Sequence, residues 1–204
     1  MNLPNRLTAA RLIMALIFVG FMSFQHVATY VAAYLLFIVA TITDYYDGKI
    51  ARARGLVTSF GKLLDPVADK ILIVGAFVML MDVPGLHIPG WAIVVIIARE
   101  FFITGARSLA ASDGKVIGAN KWGKAKAVIQ MIYVYTFLFL GIVTQVLDTH
   151  EALGAWIPGG VARYREVLAA ASLWAIVCVA AYTVYSGIQF MRVNWQAMNL
   201  GKGV

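Results

Sequence analysis

Apolar stretches of about 20 residues recur along this chain, at about 8–24, 29–53, 60–81, 89–112, 121–146 and 166–192. At about 1.5 Å of rise per residue, each is long enough to cross a hydrocarbon core of about 30 Å as a helix. No water reaches a bare N–H or C=O group in such a core, so the backbone must close its own hydrogen bonds, and an isolated apolar run does that as a helix. Breakers separate the runs, including "DVPGLHIPG" at 82–90 and "WIPGG" at 156–160. With 61% hydrophobic and 13% charged residues, the chain is too apolar for a water-facing surface of ordinary charge density. The expectation is an all-α integral membrane protein of six transmembrane helices, forming one membrane domain over residues 1–204, with room for one bundle and little else.

The basic residues give this frame an orientation. Arg6, Arg11, Lys49, Arg52, Arg54, Lys62, Lys70, Arg99, Arg107, Lys115, Lys121, Lys124, Lys126, Arg192 and Lys202 fall on one side of it, and only Arg163 and Arg165 on the other. That asymmetry places both termini and the 49–62 and 113–121 connections in the cytoplasm. The first apolar run is short and flanked by arginine, but no small-x-small cleavage site follows, so it reads as a retained helix rather than a signal peptide. Ahead of it, "NLPNRLTAARL" suits either a short N-terminal helix lying in the interface or a frayed terminus carrying topology-setting charge. Trp91, Trp122, Trp156 and Trp195 fall near the expected interfaces, as an aromatic belt should. Cys178, the one cysteine, sits in an apolar run and reads as a small packing residue, and His26, His87 and His150 map to loops on the far side from the basic residues. Gly114 and Gly118 form a G-x-x-x-G in a polar loop, where it carries no packing argument.

Against this background the stretch "TDYYDGKIARARGLVTSFGKLLDPVADK", residues 43–70, stands out for its charge. Asp44 and Asp47 are three apart at the end of the second expected helix, and Asp65 and Asp69 are four apart at the start of the third. Those spacings put each pair on one helix face, and a short turn between the helices could bring all four carboxylates to one point. Four adjacent carboxylates repel and are costly to desolvate unless a cation balances them or some take up protons. Oxygen ligands alone select Mg²⁺, Mn²⁺ or Ca²⁺ over zinc. Helix capping and solvated charge explain isolated aspartates at helix ends, but they explain this cluster poorly. Gly48, directly after Asp47, leaves room for a ligand to approach the backbone, and Arg52 follows one turn later on the same face, able to bind a phosphate oxygen. Metal, arginine and glycine together describe a pyrophosphate site.

Asp44, Asp47, Gly48, Ala51, Arg52, Gly61, Asp65 and Asp69 fit D-x2-D-G-x2-A-R-x8-G-x3-D-x3-D without a gap, and so the chain resembles the CDP-alcohol phosphatidyltransferases. That resemblance implies a six-helix membrane enzyme, usually a homodimer, which moves a phosphatidyl group from CDP-diacylglycerol to an alcohol and releases CMP. It implies that Asp44, Asp47 and Asp65 bind a pair of Mg²⁺ or Mn²⁺ ions, that Asp69 is the catalytic base as well as a possible metal ligand, and that Gly48, Ala51, Arg52 and Gly61 belong to the CDP-diacylglycerol site. Together with the lack of an organelle-targeting segment, it also implies a bacterial inner membrane, with the active site facing the cytoplasm among membrane lipids.

The acceptor has to be read elsewhere. "IIAREFFITGARSLAA" carries Arg99 and Arg107 eight apart with Glu100 beside them, and "NKWGKAKAVIQ" carries Lys121, Lys124 and Lys126. Arg99, Arg107, Lys124 and Lys126 together read as a phosphate-bearing acceptor site, against the alternative that they snorkel to lipid headgroups; Lys121 reads as a headgroup contact. These stretches, with "NLPNRLTAARL" and "FGKLLDPVADK", resemble the phosphatidylglycerophosphate-forming branch of the family over most of residues 1–130. The resemblance implies sn-glycerol 3-phosphate as acceptor, a dianion that needs a basic pocket. One departure is that Gly123, Lys124, Ala125, Lys126 and Ala127 stand where a "GKxKT" run would supply a threonine hydroxyl. Inositol phosphate or phosphatidylglycerol remains the alternative acceptor. A divalent-cation transporter is the alternative of another class, disfavoured because the acids lie at one interface rather than near the midplane and no internal repeat is visible.

Overall fold

A computed structural model describes the backbone of residues 3–54, 59–112, 114, 118, 121–154 and 156–195, with side chains from residue 9 onward except 44–69 and 151. The described residues form seven helices and no strand: α1 Leu3–Ser23, α2 Val27–Arg54, α3 Ser59–Leu80, α4 Gly90–Ser112, α5 Lys121–Thr149, α6 Glu151–Gly154 and α7 Gly160–Asn194. Six of them coincide with the six apolar runs. α5 and α7 are long and apolar enough to cross a membrane; α1, α2 and α3 contribute shorter apolar lengths, 9–23, 27–43 and 70–80. α4 carries Arg99, Glu100 and Arg107 within its run.

The N-terminal stretch is continuous with the first apolar run, not a separate interfacial helix. Pro4 does not interrupt it, because the first turn of a helix has no intrahelical partner for the N–H that proline lacks. α7 begins at Gly160, about six residues before the apolar run. Its charged opening turns hold together through an ion pair of Arg163 with Glu166 at 3.2 Å and one of Arg165 with Asp148. Gly85, Gly159 and Gly160 take positive φ in the two connections with the strongest breakers, a conformation in which glycine is nearly free of strain.

The chain divides into two compact units. The first comprises Met1–Leu86 with Val134–Leu168, and the second His87–Tyr133 with Ala169–Val204. In the first unit α1 packs on both α2 and α3. Its buried stripe is Arg11, Ala15, Phe18 and Met22; that of α2 is Tyr30, Ala33, Phe37 and Ala40; α3 adds Leu72, Ala76, Phe77 and Leu80. Steps of three and four keep the α1 and α2 sets, and Leu72, Ala76 and Leu80 of α3, each on one face, with Phe77 beside Ala76. Lipid is as apolar as these side chains, so close contact rather than flight from water holds such helices together, and small residues permit it. A Cβ on Gly75 would stand 3.4 Å from Val19 Cγ2, and one on Gly141 only 3.0 Å from Val83 Cγ1. The rings of Phe18 and Phe37 lie 5.6 Å apart, and Tyr135 meets Phe37 edge-on at 5.1 Å.

The outward faces are as apolar as the interior. Leu16, Val94, Phe101 and Trp174 are 61–67% exposed, which a water-facing helix would not tolerate in such number and which suits lipid contact. Trp91, Trp156 and Trp195 are exposed at or beyond helix ends, and His26, His87 and His150 all lie between helices, as expected. Cys178 corrects the sequence reading: it is exposed on α7 rather than packed inside.

Phe37, fully buried between Phe18 and Tyr135, tests this account of the packing. Phe37→Ala should cost about 3 kcal/mol of stability, read as an earlier thermal unfolding transition in detergent, whereas Val39→Ala, on the exposed face of the same helix, should leave the transition in place.

Candidate functional site

In the second unit the sequence places charge where it should place apolar side chains. The buried stripe of α4 runs through Ala92, Ile93, Ile96, Ile103 and Ala110, and the same three-and-four spacing carries it through Arg99, Glu100 and Arg107. α5 enters this unit with Lys126, Gln130 and Tyr133 buried, and α7 presents Ser172, Ile176, Thr183, Ser186 and Phe190. Charge buried this way is stable only if paired and hydrogen-bonded, and here it is. Glu100 Oε1 accepts from Lys126 Nζ at 2.6 Å and from Arg99 Nη1 at 3.2 Å. Arg99 Nη2 donates to Ser186 Oγ at 2.9 Å. The three charged side chains retain only 8–14% exposure.

Backbone shape makes room for this arrangement. Gly187 follows Ser186 on α7, and a Cβ there would stand 3.2 Å from Arg99 Cγ, so the missing side chain lets the arginine stem lie against the helix. Two turns further along α4, Arg107 sets its guanidinium carbon 5.1 Å from the centre of the Phe190 ring, a cation–π contact. The Nε atoms of Arg99 and Arg107 are buried without a hydrogen-bond partner. Next to the charged group, Gln130 Nε2 donates to Thr183 Oγ1 at 3.4 Å, and Tyr133 Oη donates to the Ser172 carbonyl, also at 3.4 Å.

Of the four basic residues expected to hold an acceptor phosphate, Arg99 and Lys126 thus meet through one carboxylate, and Arg107 shares their buried stripe. Lys124 does not join them: two positions from Lys126, it lies about 200° around α5 and is exposed. Lys121 is exposed too, its ammonium 5.4 Å from the centre of its neighbour Trp122's ring. Arg99, Arg107 and Lys126 against the single charge of Glu100 leave a formal surplus of two positive charges, suited to a doubly charged phosphate monoester.

The acidic half of the reading is described as backbone only. As side chains, Asp44, Asp47, Gly48, Ala51, Arg52, Gly61, Asp65 and Asp69 lie outside the described residues, and among the described ones no group of three or more His, Cys, Asp or Glu could hold a metal ion. Along the backbone, Asp44 is ten residues before the end of α2 at Arg54, and Asp69 ten after the start of α3 at Ser59. Asp47 and Asp65 are seven and six residues from those same ends. At about 1.5 Å per residue, the two outer aspartates sit about 15 Å from their helix ends and the two inner ones about 10 Å.

Three residues stand where the linear sequence does not point to them. Glu100 reads in the sequence only as a neighbour of Arg99, and its role as the shared anion depends on Lys126 arriving from another helix. Ser186 carries no motif, although its place among Ser172, Thr183 and Phe190 at helical spacing marks a polar group on a buried stripe. Arg11 reads as a topology-setting charge, yet it is 2% exposed, at the spacing of Ala15, Phe18 and Met22.

Comparison with known proteins agrees with the motif. Residues 1–161 match the family model described as CDP-alcohol phosphatidyltransferase. Among relatives, the chain is similar to a CDP-diacylglycerol–glycerol-3-phosphate 3-phosphatidyltransferase of Bacillus subtilis, 35% identical over 211 aligned positions that cover 97% of both chains. Proteins of the same description from Rickettsia felis and Mycoplasma pneumoniae are 40% and 34% identical, covering 69% and 68% of this chain and 76% and 68% of theirs.

Ser186→Ala should leave Arg99 Nη2 buried without its acceptor. A loss of about 1–3 kcal/mol is expected, measured by thermal unfolding, with Cys178→Ser on the exposed face of the same helix as the unchanged control.

Proposed function

Because the chain belongs to the CDP-alcohol phosphatidyltransferase family, we propose that it transfers the phosphatidyl group of CDP-diacylglycerol to sn-glycerol 3-phosphate, giving phosphatidylglycerophosphate and CMP in phospholipid biosynthesis. The observation that carries this reading is the correspondence over 97% of both chains with a relative whose name specifies that donor and that acceptor. The paired Arg99 and Lys126, with their surplus of positive charge, support a phosphorylated acceptor over a neutral alcohol. In this reading the six apolar helices all span the membrane of a bacterial cell as one domain, with both termini and the site on the cytoplasmic side and two copies forming a homodimer.

The donor end belongs to the aspartates. Their matched distances along α2 and α3, together with an all-oxygen donor set, fit a pair of Mg²⁺ or Mn²⁺ ions held by Asp44, Asp47, Asp65 and Asp69. When bound, those ions would neutralise the diphosphate and stabilise the departing CMP. Gly48, Ala51 and Gly61 give the CDP moiety room, and Arg52 adds a phosphate contact. A carboxylate oxygen of Asp69 takes the proton of the acceptor hydroxyl while the hydroxyl's own oxygen forms its bond to the phosphorus carrying diacylglycerol; the bond from this phosphorus to the CMP oxygen breaks, and CMP leaves. Arg99, Arg107 and Lys126 hold the acceptor's phosphate meanwhile. Lys124, exposed on another side of α5, plays the lesser part in that set.

The deciding experiment supplies purified protein with CDP-diacylglycerol and Mg²⁺ or Mn²⁺, and offers glycerol 3-phosphate, inositol phosphate and phosphatidylglycerol separately. CMP release with glycerol 3-phosphate alone is expected; release with inositol phosphate alone would overturn the acceptor, and release with none would overturn the transfer. Asp69→Asn should lower turnover by about 10²- to 10⁴-fold while CDP-diacylglycerol still binds. Asp44→Asn should move the activating Mn²⁺ titration to higher concentration. Arg99→Ala should raise the KM for glycerol 3-phosphate by about 10- to 100-fold with little change in that for CDP-diacylglycerol.

A further inference from the structure

Arg11 has a burial that topology does not explain. A cation that merely orients the first helix belongs in the headgroup region, whereas this one is 2% exposed on the stripe by which α1 packs against α2 and α3. Two contacts give its level in the first unit. Phe18 meets Phe37, and α1 and α2 run in opposite senses across their short connection, so seven residues back from Phe18 to Arg11 correspond to seven forward from Phe37 to Asp44. Val19 lies against Gly75, and eight residues back along each helix lead to Arg11 on α1 and to position 67 on α3, between Asp65 and Asp69. Both registers bring Arg11 to within about a turn of the aspartates.

The unit's other acids lie elsewhere. Asp82 follows the far end of α3, and Asp148, Glu151 and Glu166 belong to the region where Gly85 approaches Thr144 and Arg165. At about 1.5 Å per residue, Asp82 is about 22 Å along α3 from the level of Arg11. The anions at the level of Arg11 in this unit are therefore those of the motif.

We infer that Arg11 is a positioning residue of the donor site, the fixed cation that balances the aspartates from the third side and supplies net positive charge for an anionic diphosphate. The inference rests on the reading of Asp44, Asp47, Asp65 and Asp69 as ligands of two divalent cations. Four carboxylates and two such ions cancel formally, so the charge that draws a diphosphate must come from other groups. Arg11 is one that the fold holds at the right level, without being part of the aspartate motif.

A fixed positive charge beside a metal site acts in opposite directions on the two ligands: it repels the divalent cation and attracts the diphosphate. Arg11→Met keeps the length and removes the charge. In the purified full-length protein it should tighten Mn²⁺ by about ten-fold, measured by electron paramagnetic resonance of free Mn²⁺ without nucleotide, and weaken CDP-diacylglycerol, read as its KM, by about ten-fold. Arg11→Lys should stay close to wild type in both. A residue that only fills space would move both affinities down together, and a headgroup contact would move neither; either result would overturn the inference while leaving the metal reading intact. Wild-type protein that bound no Mn²⁺ would overturn the metal reading and this inference with it.

Discussion

Charge placed among apolar helices persists only where opposite charge or hydrogen bonds meet it, and the second unit is organised around one such meeting. Glu100 Oε1 draws Lys126 from α5 and Arg99 from its own helix to a single point, and Ser186 of α7 takes the remaining side of the guanidinium. Three helices thereby acquire a fixed register that apolar contact alone, tolerant of small slips, would define less sharply. The glycine at 187 and the buried hydroxyl of Ser186 follow from the same requirement, the first leaving space and the second supplying a hydrogen bond for the charged group.

The first unit solves a different problem. Its helices meet through small residues and aromatic rings, Ala15, Ala33, Ala40 and Gly75 allowing close approach while Phe18, Phe37 and Tyr135 fill what remains. Arg11 continues that apolar stripe toward the level at which the aspartate motif begins. The two units thus use buried charge in distinct ways, one in a group of cations gathered on the Glu100 carboxylate and the other at the edge of an acid-rich segment.

Helix placement was largely legible in the sequence because lipid leaves so few options: an apolar run bounded by Pro and Gly has to be a helix, and four of the six start within two residues of a helix start, while those at 8 and 166 lie inside helices that begin five and six residues earlier. α7 shows why. Arg163 and Arg165 fall before the expected run at 166–192, yet they are helix, Arg163 pairing with Glu166 three residues on and Arg165 with Asp148 of another helix. The aspartate motif was visible as spacing along the chain. The basic group was only partly visible, because composition favours Lys124 and Lys126 equally and only rotation about α5 separates the buried one from the exposed one. Glu100, Ser186 and Arg11 were overlooked for one reason: a polar residue on a buried stripe reveals itself through the helix it faces, which a linear pattern does not contain.

The clamp on Arg99 has a consequence in entropy. An arginine side chain gives up about 2 kcal/mol of rotamer freedom when it is immobilised. Arg99, tied at two nitrogens and seated against Gly187, has lost that freedom during folding. If Arg99 receives the acceptor phosphate as proposed, the anion would meet a donor already at rest, and little of its binding energy would go into ordering the protein. The same rigidity would narrow the shapes of anion that can be received, and discrimination between related phosphate esters would then be a property of how stiffly the helices are joined as much as of which side chains line the site.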